Sequence, residues 1–274
     1  MAADPSGLAT YFGLISVLCT ALTIGTLIQF ADKPPIPPST SELEKVMKNE
    51  KEPPFIESVK RLFSTKGFTR PLAAFICSIS ITNVVGTFIE EVLERGGVHG
   101  QGLIDLSGAG FEIAILAGGI LIGGFVDRTK QYKAVTQLNL VSALFFLIPL
   151  GLTDHWIGQE PFLVVASMLG LGMAIGPVQP INAELAVDVT YPSDETAVES
   201  VQQIGGNFVS ALLVPLAEVA ARSDYELFPL REKLESDIRG DVVLMMFVTL
   251  ATLVYFSGFD APLRRTIADS NDER

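Results

Sequence analysis

The chain has 274 residues, of which 49% are hydrophobic and 18% charged, and its formal net charge is −12 at neutral pH. Length alone admits one or two soluble domains, but nearly all the charge falls in short blocks between long uncharged runs, the pattern of an all-α, polytopic membrane protein. The acidic balance without a basic face excludes nucleic acid as a partner, and two cysteines placed inside apolar runs, Cys19 and Cys77, argue against a disulfide framework or thiolate metal site.

Seven stretches approach or exceed the length that crosses a hydrocarbon core of about 30 Å at about 1.5 Å per residue. They lie near residues 7–30, 71–92, 104–126, 134–152, 161–187, 197–221 and 241–257. The first is a span and not a leader peptide, because Met1 to Gly7 holds Asp4 but no Lys or Arg and the apolar part is too long. Fourteen of the nineteen basic residues fall on one side of this arrangement: eight in 31–70, three in 127–133 and three in the tail. The positive-inside rule then makes that basic side cytoplasmic.

After the first run, Lys33-Pro34-Pro35-Ile36-Pro37-Pro38 predicts an extended polyproline segment. Phe55, Ile56, Val59, Leu62 and Phe63 recur at helical spacing, with Lys60, Arg61 and Lys66 on the other side. They predict a short helix on the inner membrane surface or packed against the spans, and both readings stand.

Polar side chains inside spans are costly unless they face the bundle interior or a wet cavity. Runs one, four and seven carry mostly Ser and Thr and read as supports. The others carry Asn83, Glu112, Gln179, Asn182, Glu184, Gln202, Gln203, Asn207 and Glu218 and read as lining helices. Of these, Asn83, Glu112, Gln179, Gln203 and Asn207 are the candidate solute contacts. Glu112 reads as a cation or proton site, or as a carboxylate paired with another span. The fifth run contains Gly170, Gly172, Gly176, Pro177 and Pro180, which must loosen its helix, either as a packing kink or as an interrupted helix at a binding site. Glu90, Glu91 and Glu218 are expected at the interface. His99 and His155 stand alone in short loops, so neither a metal nor a cofactor is implied, and no constellation suited to an enzyme appears.

Between the third and fourth runs stands Gly123-Gly124-Phe125-Val126-Asp127-Arg128-Thr129-Lys130-Gln131-Tyr132-Lys133. A glycine admits a close helix approach, an acid follows at the helix end, and bases occupy the turn. This resembles the loop motif of the major facilitator superfamily, Gly-x-x-x-Asp-Arg-x-x-x-x-Lys, with the usual glycine after Arg128 replaced. A narrower resemblance is to the feline leukaemia virus subgroup C receptor-related transporters, tied to haem and choline. It is carried by the same loop, by Lys33-Pro34-Pro35 with Pro37-Pro38-Ser39, by Arg61-Leu62-Phe63, by Glu184-Leu185-Ala186-Val187-Asp188-Val189-Thr190-Tyr191-Pro192 and by Leu263-Arg264-Arg265.

That resemblance implies twelve spans in two halves. This chain would then hold the last span of the first half (1–30), a cytoplasmic linker (31–70), a six-span second half (71–257) and a cytoplasmic tail (258–274). It would be a fragment, or a half-transporter that needs a partner half. The resemblance further implies a plasma-membrane carrier of a small choline-like or amine-like solute, against a haem or other metabolite exporter, or a non-transporting receptor or scaffold. Asn207 matches a family glutamine at the solute head group. Asp127, Arg128 and Lys133, with Glu184 and Asp188 four residues apart on one helix face, form the expected inner gate.

The orientation is checked by cysteine labelling of intact cells. Ser41→Cys should react with an impermeant thiol reagent only after permeabilisation; labelling without it reverses the assignment.

Overall fold

The computed structural model of the chain describes residues 5–30, 54–152, 160–226 and 237–272. The proline stretch 33–38 and His155 lie outside the described residues. The chain divides into two units, residues 1–52 and 53–274. In the first, α1 (Pro5–Gln29) is one unbroken helix. Its Thr20, Thr23 and Thr26 hydroxyls each donate to the carbonyl four residues earlier, at 2.7–2.9 Å, so none needs an outside partner in hydrocarbon.

The second unit runs α2 (Phe55–Ser64), α3 (Thr69–Thr87), α4 (Ile89–Arg95), α5 (Gln101–Thr129), α6 (Tyr132–Gly151), α7 (Pro161–Ile175), α8 (Val178–Thr190) and α9 (Glu195–Ala220). A hairpin of β1 (Asp224–Glu226) and β2 (Asp237–Arg239) follows, then α10 (Gly240–Ser257) and α11 (Arg264–Asp272). Among the described residues, seven helical segments are long and apolar enough to cross a membrane, and they are the seven predicted stretches. Two differ in detail. The second span ends at Thr87, where Phe88 leaves the helical region, and Glu90 and Glu91 ride on the separate α4. The fifth is divided into α7 and α8 at Gly176-Pro177.

The division follows from backbone chemistry. Pro177 and Pro180 bring no N–H, so the carbonyls of Met173 and Gly176 lose their helical donors. Nearby, Ser78 of α3 donates to the Ile175 carbonyl at 2.8 Å, which satisfies one backbone group at the break. The glycines of this run admit α5: a Cβ on Gly176 would stand 2.6 Å from the Ile115 carbonyl, and one on Gly172 2.9 Å from that of Phe111. From the other side, a Cβ on Gly118 would meet the Met173 carbonyl at 2.7 Å. At Gly123 and Gly124, where a close approach is expected, nothing among the described residues lies within 4 Å of a Cβ.

Helix α7 packs between α5 and α6, while α3 packs against α8, α9 and α10. Buried amides tie these layers. Asn182 of α8 donates to Thr136 of α6 at 3.1 Å, and Gln202 of α9 donates to the Asn182 carbonyl at 3.2 Å. Asn182 and Gln202 therefore join helices, and α6, read as a plain support, contributes polar Thr136 to the same network. Hydrogen bonds of this kind hold spans together where lipid offers no hydrophobic drive.

On the side opposite the basic one, Arg239 bonds both oxygens of buried Asp241 at 3.3 and 3.2 Å and reaches Glu91 at 2.7 Å, which anchors the hairpin to α4 and α10. Burial works against the Arg239 charge, but Glu91 and Asp241 overcome it and hold its pKa above the usual value. Burial and then the charge of Arg239 push Arg95 down to about 10, so it stays charged at neutral pH. On the basic side, α5 and α6 are joined by a tight turn in which Lys130 takes the left-handed conformation, φ 54°, and its N–H closes onto the Val126 carbonyl at 2.7 Å. Nearby α2 buries Leu62 against Phe68 and Leu72, while Phe55, Ile56 and Phe63 stay exposed.

The glycine contacts are testable by thermal unfolding of the detergent-solubilised protein. Gly176→Ala should destabilise by about 1–3 kcal/mol, because the new methyl meets backbone on both sides. Gly123→Ala enters open space and should be neutral or stabilising by up to about 1 kcal/mol.

Candidate functional site: a polar groove between three spans

The exposed faces of α3, α5 and α9 enclose a groove of about 520 Å³ lined by Asn83, Thr87, Glu112, Ser210, Ala211 and Pro215, among others. Two of the predicted solute residues, Asn83 and Glu112, thus meet at one site. Asn83 donates from Nδ2 to the Ser210 hydroxyl at 2.9 Å, which crosslinks α3 to α9 and leaves its Oδ1 free to accept. Ser210 in turn donates to the Gly206 carbonyl at 2.8 Å. Pro215 brings no N–H, so the Ala211 carbonyl lacks its helical donor, and both residues line the groove. A carboxylate, an amide oxygen and a released carbonyl make an acceptor-rich lining in otherwise apolar spans, suited to a solute that is cationic or donates hydrogen bonds.

Asn207 and Gln203 do not line this groove. At about 100° per residue they fall on the same stripe of α9 as Ser210, Ala211 and Val214, roughly one and two turns towards the basic side. Both side chains are exposed, and the Asn207 amide donates to the Gln203 carbonyl at 2.8 Å. Gln179, half-buried in the first turn of α8, stands outside the groove lining. Ser210 and Pro215 are absent from the sequence-based candidates; a proline about one and a half turns beyond a serine inside a span is the available signal. Glu218 pairs with Arg222 at 3.6 Å on the surface.

The predicted gate residues are distributed differently. Asp127 and Arg128 are exposed at the end of α5, and among the described residues no ion pair reaches either. Lys133 donates to the Phe259 carbonyl at 2.8 Å. Asp188 accepts from the backbone of Arg265 and Thr266 and from the Thr266 hydroxyl, while Glu184 lies 3.9 Å from the Arg265 guanidinium. The base beside these two acids is therefore Arg265, which sequence reasoning placed in the tail without a partner. Among the described residues no group of His, Cys, Asp and Glu is arranged to hold a metal ion.

Solute carrier family 49 member A3 of Xenopus tropicalis is 28% identical over 70% of this chain and 38% of its own length. The choline/ethanolamine transporter FLVCR2 of Homo sapiens is 24% identical over 94% of this chain and 46% of its own. The choline/ethanolamine transporter FLVCR1 of Felis catus is 25% identical over 80% and 38%. The chain thus spans less than half the length of these curated relatives, which are the transporters that the loop and the Glu184-to-Pro192 stretch pointed to. The Major Facilitator Superfamily model matches residues 2–215. Seven spans and that match make the chain an integral, multi-pass membrane protein that belongs to the major facilitator superfamily.

Proposed function

We propose that the chain forms one side of a path for a small organic cation, choline-like or amine-like, that crosses the plasma membrane by alternating access. The observation that carries this reading is Glu112, a carboxylate at span depth that lies in the same groove as Asn83 and the Ala211 carbonyl. A carboxylate held in hydrocarbon is expensive without a role, and an acceptor-rich groove favours a cation over a haem-sized anion. Relatives named as choline/ethanolamine transporters support the same class of solute. In this reading a second half, on the same polypeptide or on another, closes the groove from its open side. Asn207 and Gln203 continue the polar stripe towards the cytoplasm. The basic side is cytoplasmic, and Asp127, Arg128, Lys133, Glu184 and Asp188 lie at its gate.

Uptake of labelled choline and ethanolamine by cells expressing the protein is the test, with variants matched for surface expression. Glu112→Gln should lower kcat/KM for choline about tenfold or more, the size of one charge-assisted contact. Asn83→Ala should have a smaller effect, and Asn207→Ala should act mainly on KM. Unchanged kinetics in all three variants removes the site.

A further inference from the structure

The first N–H groups of a helix have no partner within it and favour an anion. In α11 that anion comes from another helix. The backbone N–H groups of Arg265 and Thr266 donate to Asp188 Oδ1 at 2.9 and 3.2 Å, and the Thr266 hydroxyl donates to Oδ2 at 2.6 Å. Asp188 is only 2% exposed, so its charge is satisfied through these three bonds. The Arg265 guanidinium then spans Glu195 of α9 at 3.2 Å and Glu184 of α8 at 3.9 Å. Upstream, the segment is fixed by Lys133 on the Phe259 carbonyl and by Ala261, whose methyl fills the place of a Cβ on Gly67.

One short segment therefore touches the ends of α6, α8 and α9 and the turn before α3 on the basic side, and its removal would leave three carboxylates on two adjacent helices without these partners. Unpaired, these repel one another. We propose that residues 258–272 form a latch: docked on Asp188, Glu184 and Glu195 and held by Lys133, they tie the basic-side end of α6 to the corner where α8 turns into α9, and release lets α6 and that corner part. The effect of release on transport rests on the function proposed above; docking itself does not.

Hydrogen exchange of the reconstituted full chain, read by mass spectrometry over residues 262–270, tests docking without any solute. Slow exchange is expected in the wild type and exchange faster by at least about tenfold in Asp188→Ala, which loses charge-assisted bonds. Because Asp188 is buried, the double variant Arg265→Ala/Thr266→Val, confined to the tail, provides the second arm and should also speed exchange. Fast exchange in the wild type, or unchanged exchange in both variants, overturns the latch. In the tail variant choline uptake should change at least about twofold in kcat with KM retained; loss of docking with uptake unaltered overturns its part in gating. If the wild type takes up no choline, the solute assignment fails while the exchange result stands.

Discussion

The constraint on which the rest depends is that no backbone polar group can be left bare in hydrocarbon. At the division of the fifth span, Gly176-Pro177, a neighbour supplies part of what that constraint requires. Ser78 answers the Ile175 carbonyl, and α5 closes on the break through Gly118, Gly172 and Gly176. Close packing of α5 on α7 fixes the rotation of α5. Its contact face centres on Phe111, Ala114, Ile115 and Gly118, and Glu112 projects about a third of a turn away, into the groove. The position of the carboxylate is thus a consequence of how the interruption is stabilised. Of the two readings of the Gly/Pro run, the contacts show the packing kink; no residue of the run lines the groove, and its packing acts on the groove only through the rotation of α5.

Hydropathy carried the spans because crossing a membrane is a one-dimensional requirement of length and polarity, and every predicted run has its helix. Polarity within spans was legible only in part. Glu112 and Asn83 lie in the groove, yet Asn182 and Gln202 carry the same chemistry and are spent between helices. Residue type cannot separate the two fates, since either one satisfies a polar group away from water. The glycines behave in the same way. Gly123 and Gly124 stand in a recognisable motif but meet nothing among the described residues, whereas Gly176 sits against backbone, and only the crossing of two helices distinguishes them.

The partners of the acids were the least legible feature. Glu184 and Asp188, four residues apart, are expected at one gate with Asp127, Arg128 and Lys133. Asp188 instead meets Arg265, 77 positions along the chain, through backbone N–H groups that become donors only once α11 exists. A cap supplied from another element leaves no spacing rule in sequence. The Arg239 cluster shows the opposite case: Asp241 is two residues away, but its third member, Glu91, comes from a helix that the predicted second span had absorbed.

The turn at Lys130 constrains the two helices it joins. Only Lys130 and Gln131 separate α5 from α6, one of them pinned in a left-handed backbone well and bonded to Val126. A connection this short stores no slack, so the basic-side ends of α5 and α6 stay side by side while α7 packs between the two helices. The opposite end of α5 is reached through Gly97 and Gly100, whose positive φ lets the chain reverse between α4 and α5.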